Sequence, residues 1–132
     1  AREFLAGSEL FRARKQYSMA AFMLHQSAEQ ALRTLLQTAT GYHINTHNID
    51  RLIRCASLAS YRLPDIFPQR TDQEKRLFTL LQRAYTDTRY TTAYSISNDD
   101  LIYLTEKVRH IHEILSNVGK GIFSTTVLSY AQ

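Results

Sequence analysis

Lys75, Gln82 and Arg89 are spaced by seven, so they fall on one face of the helix that carries them. Arg89 also follows Tyr85 by four. That sets a permanent cation against aromatic surface near a helix end. A lone arginine at that place also simply complements the helix dipole. Arg76 and Arg83 lie on another face, near Asp87, and read as a solvated charge pattern. His25 and Glu29 are one helical turn apart, at the margin of an apolar face beside Phe22, Leu32 and Leu36. His43 and His47 are four apart but separated by loop residues; His47 reads as lying at the start of a helix, in a structural or capping role. His110 and His112 are two apart on a helix and point in different directions, so they share no metal and read as exposed. Cys55 borders an apolar stripe and reads as core rather than nucleophile. The chain has no G-x-S-x-G, Walker loop, H-E-x-x-H or C-x-x-C, and neither a cofactor nor a metal is expected.

These residues need helices to position them. The longest helical signal is YSMAAFMLHQSAEQALRTLLQ, residues 17–37. Ala21, Leu24, Ala28, Ala31, Leu32 and Leu35 share a face there, no Gly or Pro intervenes, and Gly41 follows as a left-handed terminator. Before it, a shorter amphipathic helix runs from Arg2 to about Gln16. After the GYHINTHN loop, a third helix starts between Thr46 and Asn48, carries Ile49, Leu52, Ile53 and Ala56, and ends before Tyr61. Pro64 and Pro68 mark a non-helical connection. Thr71 and Glu74 form a capping box for a fourth helix expected to fade near Tyr90 to Thr92. A fifth starts at Ser97, with Asp99 and Asp100 in its first turn, and is expected to stop at Gly119. The apolar tail beyond it fits an arm, a strand or a last helical turn. The expectation is an all-α, up-and-down bundle of about five helices.

With 132 residues and 44% hydrophobic content, the chain suffices for one domain with its own core. A single cysteine makes no internal disulfide and favours a reducing, cytoplasmic setting. No run is long enough to cross a membrane. The net charge of +4 permits polyanion binding without requiring it. The chain starts at Ala1 rather than Met, which suggests a processed product or a piece of a longer protein.

Four stretches carry a family resemblance: FLAGSELFRARKQYSMAAFMLHQSAEQALRTLL, THNIDRLIRCA, LFTLLQRAYTDTRY and ISNDDLIYLTEKV. In this order they resemble the HEPN domains, helical modules of higher eukaryotes and prokaryotes linked to nucleotide binding. HQSAEQAL, then Gly41-Tyr42 with His47-Asn48 after it, then AYTDTRY, look most like the HEPN domains joined to, or encoded beside, a minimal nucleotidyltransferase. The resemblance implies a helical bundle that pairs into a homodimer, a minimal nucleotidyltransferase partner in cis or trans as in toxin–antitoxin pairs, and a nucleotide or RNA as ligand. Nuclease-type members resemble one another in an arginine, a polar residue and, a few positions on, a histidine. Arg89 matches the arginine and Tyr90 the polar position. The three positions open to the histidine hold Tyr94, Ser95 and Ile96.

The expected function is therefore a non-catalytic HEPN module that binds a nucleotide or phosphate-bearing ligand, or serves a nucleotidyltransferase. Arg89 would contact phosphate, and Tyr90 would stack on a base or pack at a dimer contact. His25, Gln26 and His47 are further candidates, chosen for polarity within the matching stretches. The rivals are a metal-independent ribonuclease with an altered motif, and a dimerisation or docking module without small ligand.

Overall fold

The computed structural model describes residues 2–87 and 94–131, with side chains described as far as residue 118. Among them are five α-helices, one 3-10 turn and no strand: α1 (Arg2–Ala13), α2 (Tyr17–Thr40), α3 (Ile49–Ala56), a 3-10 turn at Leu63–Asp65, α4 (Asp72–Arg83) and α5 (Asn98–Ala131). The all-α bundle is as the periodicity requires.

Helix α2 is the central element, packed by α1, α3, α4 and α5. Ala20, Ala21, Leu24, Ala28, Ala31, Leu32 and Leu35 are all fully buried in it. Four small alanine side chains there let the neighbours approach closely. Leu52 of α3, Leu81 of α4, and Leu101, Leu104, Val108 and Ile111 of α5 complete the core. Burying a leucine side chain contributes roughly 1.5–3 kcal/mol.

The ends of the elements follow local chemistry. Helix α1 stops earlier than its charge pattern suggests, because Lys15 takes a left-handed φ of 62° and the Gln16 N–H turns back to the Phe11 carbonyl at 2.9 Å. Gly41 ends α2 at φ 77°, its N–H donating to the Gln37 carbonyl at 2.8 Å. Helix α3 ends at Ala56, short of Tyr61: Ser57 Oγ bonds back to the Ile53 carbonyl at 2.6 Å and the chain tightens into a turn closed by Ala59 N–H on the Ala56 carbonyl. Thr71 and Glu74 form the reciprocal capping box of α4. That helix ends at Arg83 rather than near Tyr90, as the Ala84 N–H shifts to the Leu81 carbonyl and Thr86 Oγ1 caps the Arg83 carbonyl. Ser97 and Asp100 cap α5 reciprocally, at 3.2 and 3.1 Å.

Two expectations fail in the last helix. Gly119 does not stop it; the backbone stays helical to Ala131 through Gly119 and Gly121, as no proline follows and each glycine costs only about 1 kcal/mol in a helix. His112 is not simply exposed: its Nε2 lies 2.7 Å from the Oγ of the fully buried Ser27. His110 meets Arg62 Nη2 at 3.2 Å on the exterior.

Candidate functional site

One stripe of α2 holds down the loop that leads into α3. His25, Glu29 and Arg33 are successive one-turn neighbours on that stripe, and all three reach the segment Thr46–His47. The His25 Nε2–H donates to the His47 carbonyl at 3.1 Å. Glu29 Oε1 accepts from His47 Nδ1 at 2.6 Å. Arg33 Nη2 donates to the Thr46 carbonyl and also sits 3.8 Å from Glu29 Oε2. The Glu29 carboxylate is thus flanked by two donors, which is what a 4%-exposed carboxylate needs.

Helix α4 adds the other wall. The Tyr85 ring, just past its end, stacks on His47 at 4.1 Å between centroids and 15° between planes. Phe22 stacks on Tyr85 from α2 at 6.1 Å, and His25 lies tilted against it at 5.5 Å. The result is an aromatic column, Phe22–Tyr85–His47, with His47 the most exposed member at 47% of its side chain. One turn before Tyr85, Gln82 binds the start of α3. Its Oε1 accepts from the Ile49 N–H at 2.8 Å, and its Nε2 donates to Asn48 Oδ1 at 3.3 Å. That same Asn48 oxygen caps α3 by accepting from the Arg51 N–H at 3.0 Å. His47, Asn48, Gln82, Arg83, Tyr85 and Thr86 line an open cleft of about 320 Å³. Arg83, at its rim, is ion-paired through Nε with Asp87.

The two histidines have different electrostatics. His25 is fully buried and donates from Nε2, so its Nδ1 carries the lone pair, buried and without a hydrogen-bond partner among the described residues. A second proton would place a charge inside the core. Burial therefore lowers its pKa to about 4, against the opposing pull of Glu29 and of its bond to the His47 backbone. His47 is oriented from behind, because a carboxylate can only accept. Nδ1 carries the hydrogen and Nε2 is left facing away from Glu29.

His25 and His47, both candidates from the sequence, thus come together, though not in the roles expected. His25 is not marginal but fully buried, and the α3 cap is Asn48 rather than His47. Gln26 takes no part in this network; its Nε2 is buried without a partner among the described residues. Arg89 and Tyr90 lie outside the described residues. Tyr94, which stands at one of the motif's histidine positions, is a core residue. It is 7% exposed, donates its hydroxyl to the Leu80 carbonyl at 2.6 Å, and burial raises its phenol well above the usual range. It is unfit as a general acid or base near neutral pH. Glu29, Asn48, Gln82 and Tyr85 were not singled out as site residues. Each carries a partial signal: Glu29 is the one-turn neighbour of His25, Asn48 stands in the stretch of resemblance beside His47, Gln82 shares a face with Arg89, and Tyr85 lies four residues before it. Among the described residues no cluster of three His, Cys, Asp or Glu could hold a metal ion, and no helix is long and apolar enough to cross a membrane.

The architecture is a helical bundle with polar side chains collected along one stripe of its central helix. The HEPN domain family model matches residues 1–118, and the chain belongs to that family. No curated protein matches it.

Proposed function

We propose that this HEPN domain binds a nucleotide in the cleft between the α3 N-terminus and α4, without cleaving RNA. The observation that carries this reading is the stacked His47–Tyr85 pair beside the amides of Asn48 and Gln82. A planar base has an aromatic neighbour there, and hydrogen-bonding groups lie at its edge. Arg89, two residues past Asp87 in the chain, is the phosphate contact proposed from the sequence, with Tyr90 beside it. Isothermal titration of the 132-residue chain with mononucleotides tests the reading. His47→Leu keeps bulk but removes the outer stacking face of the column, Tyr85 being covered by Phe22 on one side and His47 on the other, and base stacking is worth roughly 1–3 kcal/mol, so affinity should fall about fivefold or more. Arg89→Ala should lose roughly tenfold, since a charge-assisted hydrogen bond is worth about 1.5–3 kcal/mol. Arg76→Ala, whose guanidinium is held by Asp100 at 2.8 Å, should change little. Equal losses at Arg89 and Arg76 would mean diffuse electrostatics, and no binding in the parent would favour a docking module.

A second reading has its own observation. His47, backed by Glu29, has the carboxylate–imidazole arrangement that prepares a histidine for proton transfer. A metal-independent ribonuclease would use His47 in place of the histidine missing after Arg89. RNA cleavage in chelator that is lost in His47→Gln would establish it. The wider setting we propose from the resemblance is cytoplasmic: a homodimer serving a minimal nucleotidyltransferase, in cis or in trans. Light scattering of the full-length gene product tests the dimer.

A further inference from the structure

The two amides in the cleft have no choice of orientation. Gln82 Oε1 faces the Ile49 N–H and Asn48 Oδ1 faces the Arg51 N–H; only an oxygen can accept from either. Asn48 Oδ1 is further occupied by Gln82 Nε2. Asn48 Oδ1, with two donors on it, is filled, and Gln82 Oε1 spends one of its two lone pairs on the Ile49 N–H at the foot of α3. What Asn48 offers a ligand is its Nδ2 group, which bonds no other described residue, and next to it stands the second N–H of Gln82 Nε2. These are hydrogen donors, held side by side by a mutual hydrogen bond. The Thr86 hydroxyl on the same wall is already committed to Asp87 Oδ1 and the Arg83 carbonyl.

A pair of adjacent fixed donors calls for a pair of adjacent acceptors. Between the two purines, the guanine N7/O6 edge offers that pattern, whereas adenine places an amino donor beside its N7. We propose that the cleft selects guanine over adenine nucleotides, with Asn48 Nδ2 and Gln82 Nε2 donating to N7 and O6. This inference rests on the reading of the cleft as a nucleotide site and adds the base it takes. Donors also suit a phosphate, so the experiment must separate edge from phosphate.

The test is titration of the parent chain with GMP, IMP, AMP, 7-deaza-GMP and ribose 5-phosphate, together with Asn48→Asp. A good two-point base contact discriminates by about 5- to 150-fold, so GMP should bind at least about fivefold more tightly than AMP. IMP, which keeps N7 and O6 but lacks the 2-amino group, should match GMP. 7-Deaza-GMP, lacking the N7 acceptor, should lose most of the preference. Asn48→Asp keeps an oxygen for the Arg51 N–H and for Gln82, and aspartate is an equally good helix cap, but it replaces the free donor by an acceptor. It should weaken GMP and leave AMP equal or tighter. Equal affinity of the parent for GMP and AMP overturns the proposal. So does an Asn48→Asp variant that loses GMP, AMP and ribose 5-phosphate alike, since the amides would then hold phosphate. The comparison of GMP with IMP and 7-deaza-GMP needs no substitution and stands even if Asn48→Asp folds poorly. A parent that binds no nucleotide fails the nucleotide reading itself, whereas binding without base preference fails only this inference.

Discussion

Mild acid should destabilise this domain through the buried imidazole of His25. His25 sits in the core with its Nδ1 unpartnered, and its pKa falls from 6.5 to about 4 because burial disfavours the charged ring. The unfolded chain takes up that proton below about pH 6.5, while the folded chain resists it until about pH 4. Between these values the unfolded state binds more protons, so stability falls as pH falls. Each pH unit across the window is worth about 1.4 kcal/mol. The full window therefore removes about 3 kcal/mol, of which about 2 kcal/mol is lost by pH 5. That is a large share of the roughly 5–15 kcal/mol that stabilises an ordinary domain. Asp87 and Asp100 have lowered pKa values, from Thr86 and Arg83 and from Arg76 and Ser97 respectively, so their contributions are lost only below about pH 3.8, beneath the His25 window. Urea unfolding at half-unit steps from pH 8 to pH 4.5, for the parent and for His25→Gln, measures the effect. The parent should show the steeper dependence, and most of the difference should vanish in the variant. Parallel pH profiles for the two proteins, or an NMR titration placing His25 near 6.5, would refute the reasoning.

Two further outcomes follow from local geometry. Tyr94→Phe should cost about 1 kcal/mol in chemical denaturation by deleting the hydroxyl bond to the Leu80 carbonyl, and Tyr94→His should destabilise the fold without conferring RNA cleavage in chelator. Gly41→Ala should cost about 1 kcal/mol, read from the urea midpoint, because a left-handed backbone strains any residue with a Cβ even though the space around it is open.

The helices were legible because their signals are local. The apolar face of α2, the Thr71–Glu74 box and the acidic start of α5 each lie within a few turns of chain. The ends were less so. Nothing in a short window tells Lys15 to go left-handed, and Gly119 looks like a stop until the helix is seen continuing through it. The cleft was legible only in part. His25 and Glu29 are visible as a one-turn pair, but their partner His47 is reached by a loop closure that no periodicity encodes. Tyr85 reads as a core-bordering aromatic on α4; its stack on His47 depends on where that loop lands. The Asn48–Gln82 bond spans 34 residues, so neither amide advertises the other.

The position of Tyr94 bears on how the family's arginine–histidine chemistry stands in this chain. Its phenol does not face the cleft as a weaker substitute for the motif's histidine; it has become packing, anchored to the backbone of α4. Putting histidine back at that position would set an imidazole in the core rather than at a reaction centre. The cleft instead owns a different histidine, supplied by the loop before α3 and oriented by a carboxylate on α2. A ring so oriented presents one nitrogen away from the protein while its face is held against Tyr85. Under the proposed function, that arrangement would meet a flat ligand without further change. For cleavage it would also need a second group to protonate the leaving oxygen. Among the described residues, Tyr94 is the titratable side chain at the motif's own position, and its buried phenol does not ionise near neutral pH. Binding without cleavage, the function proposed for the cleft, asks for no such second group.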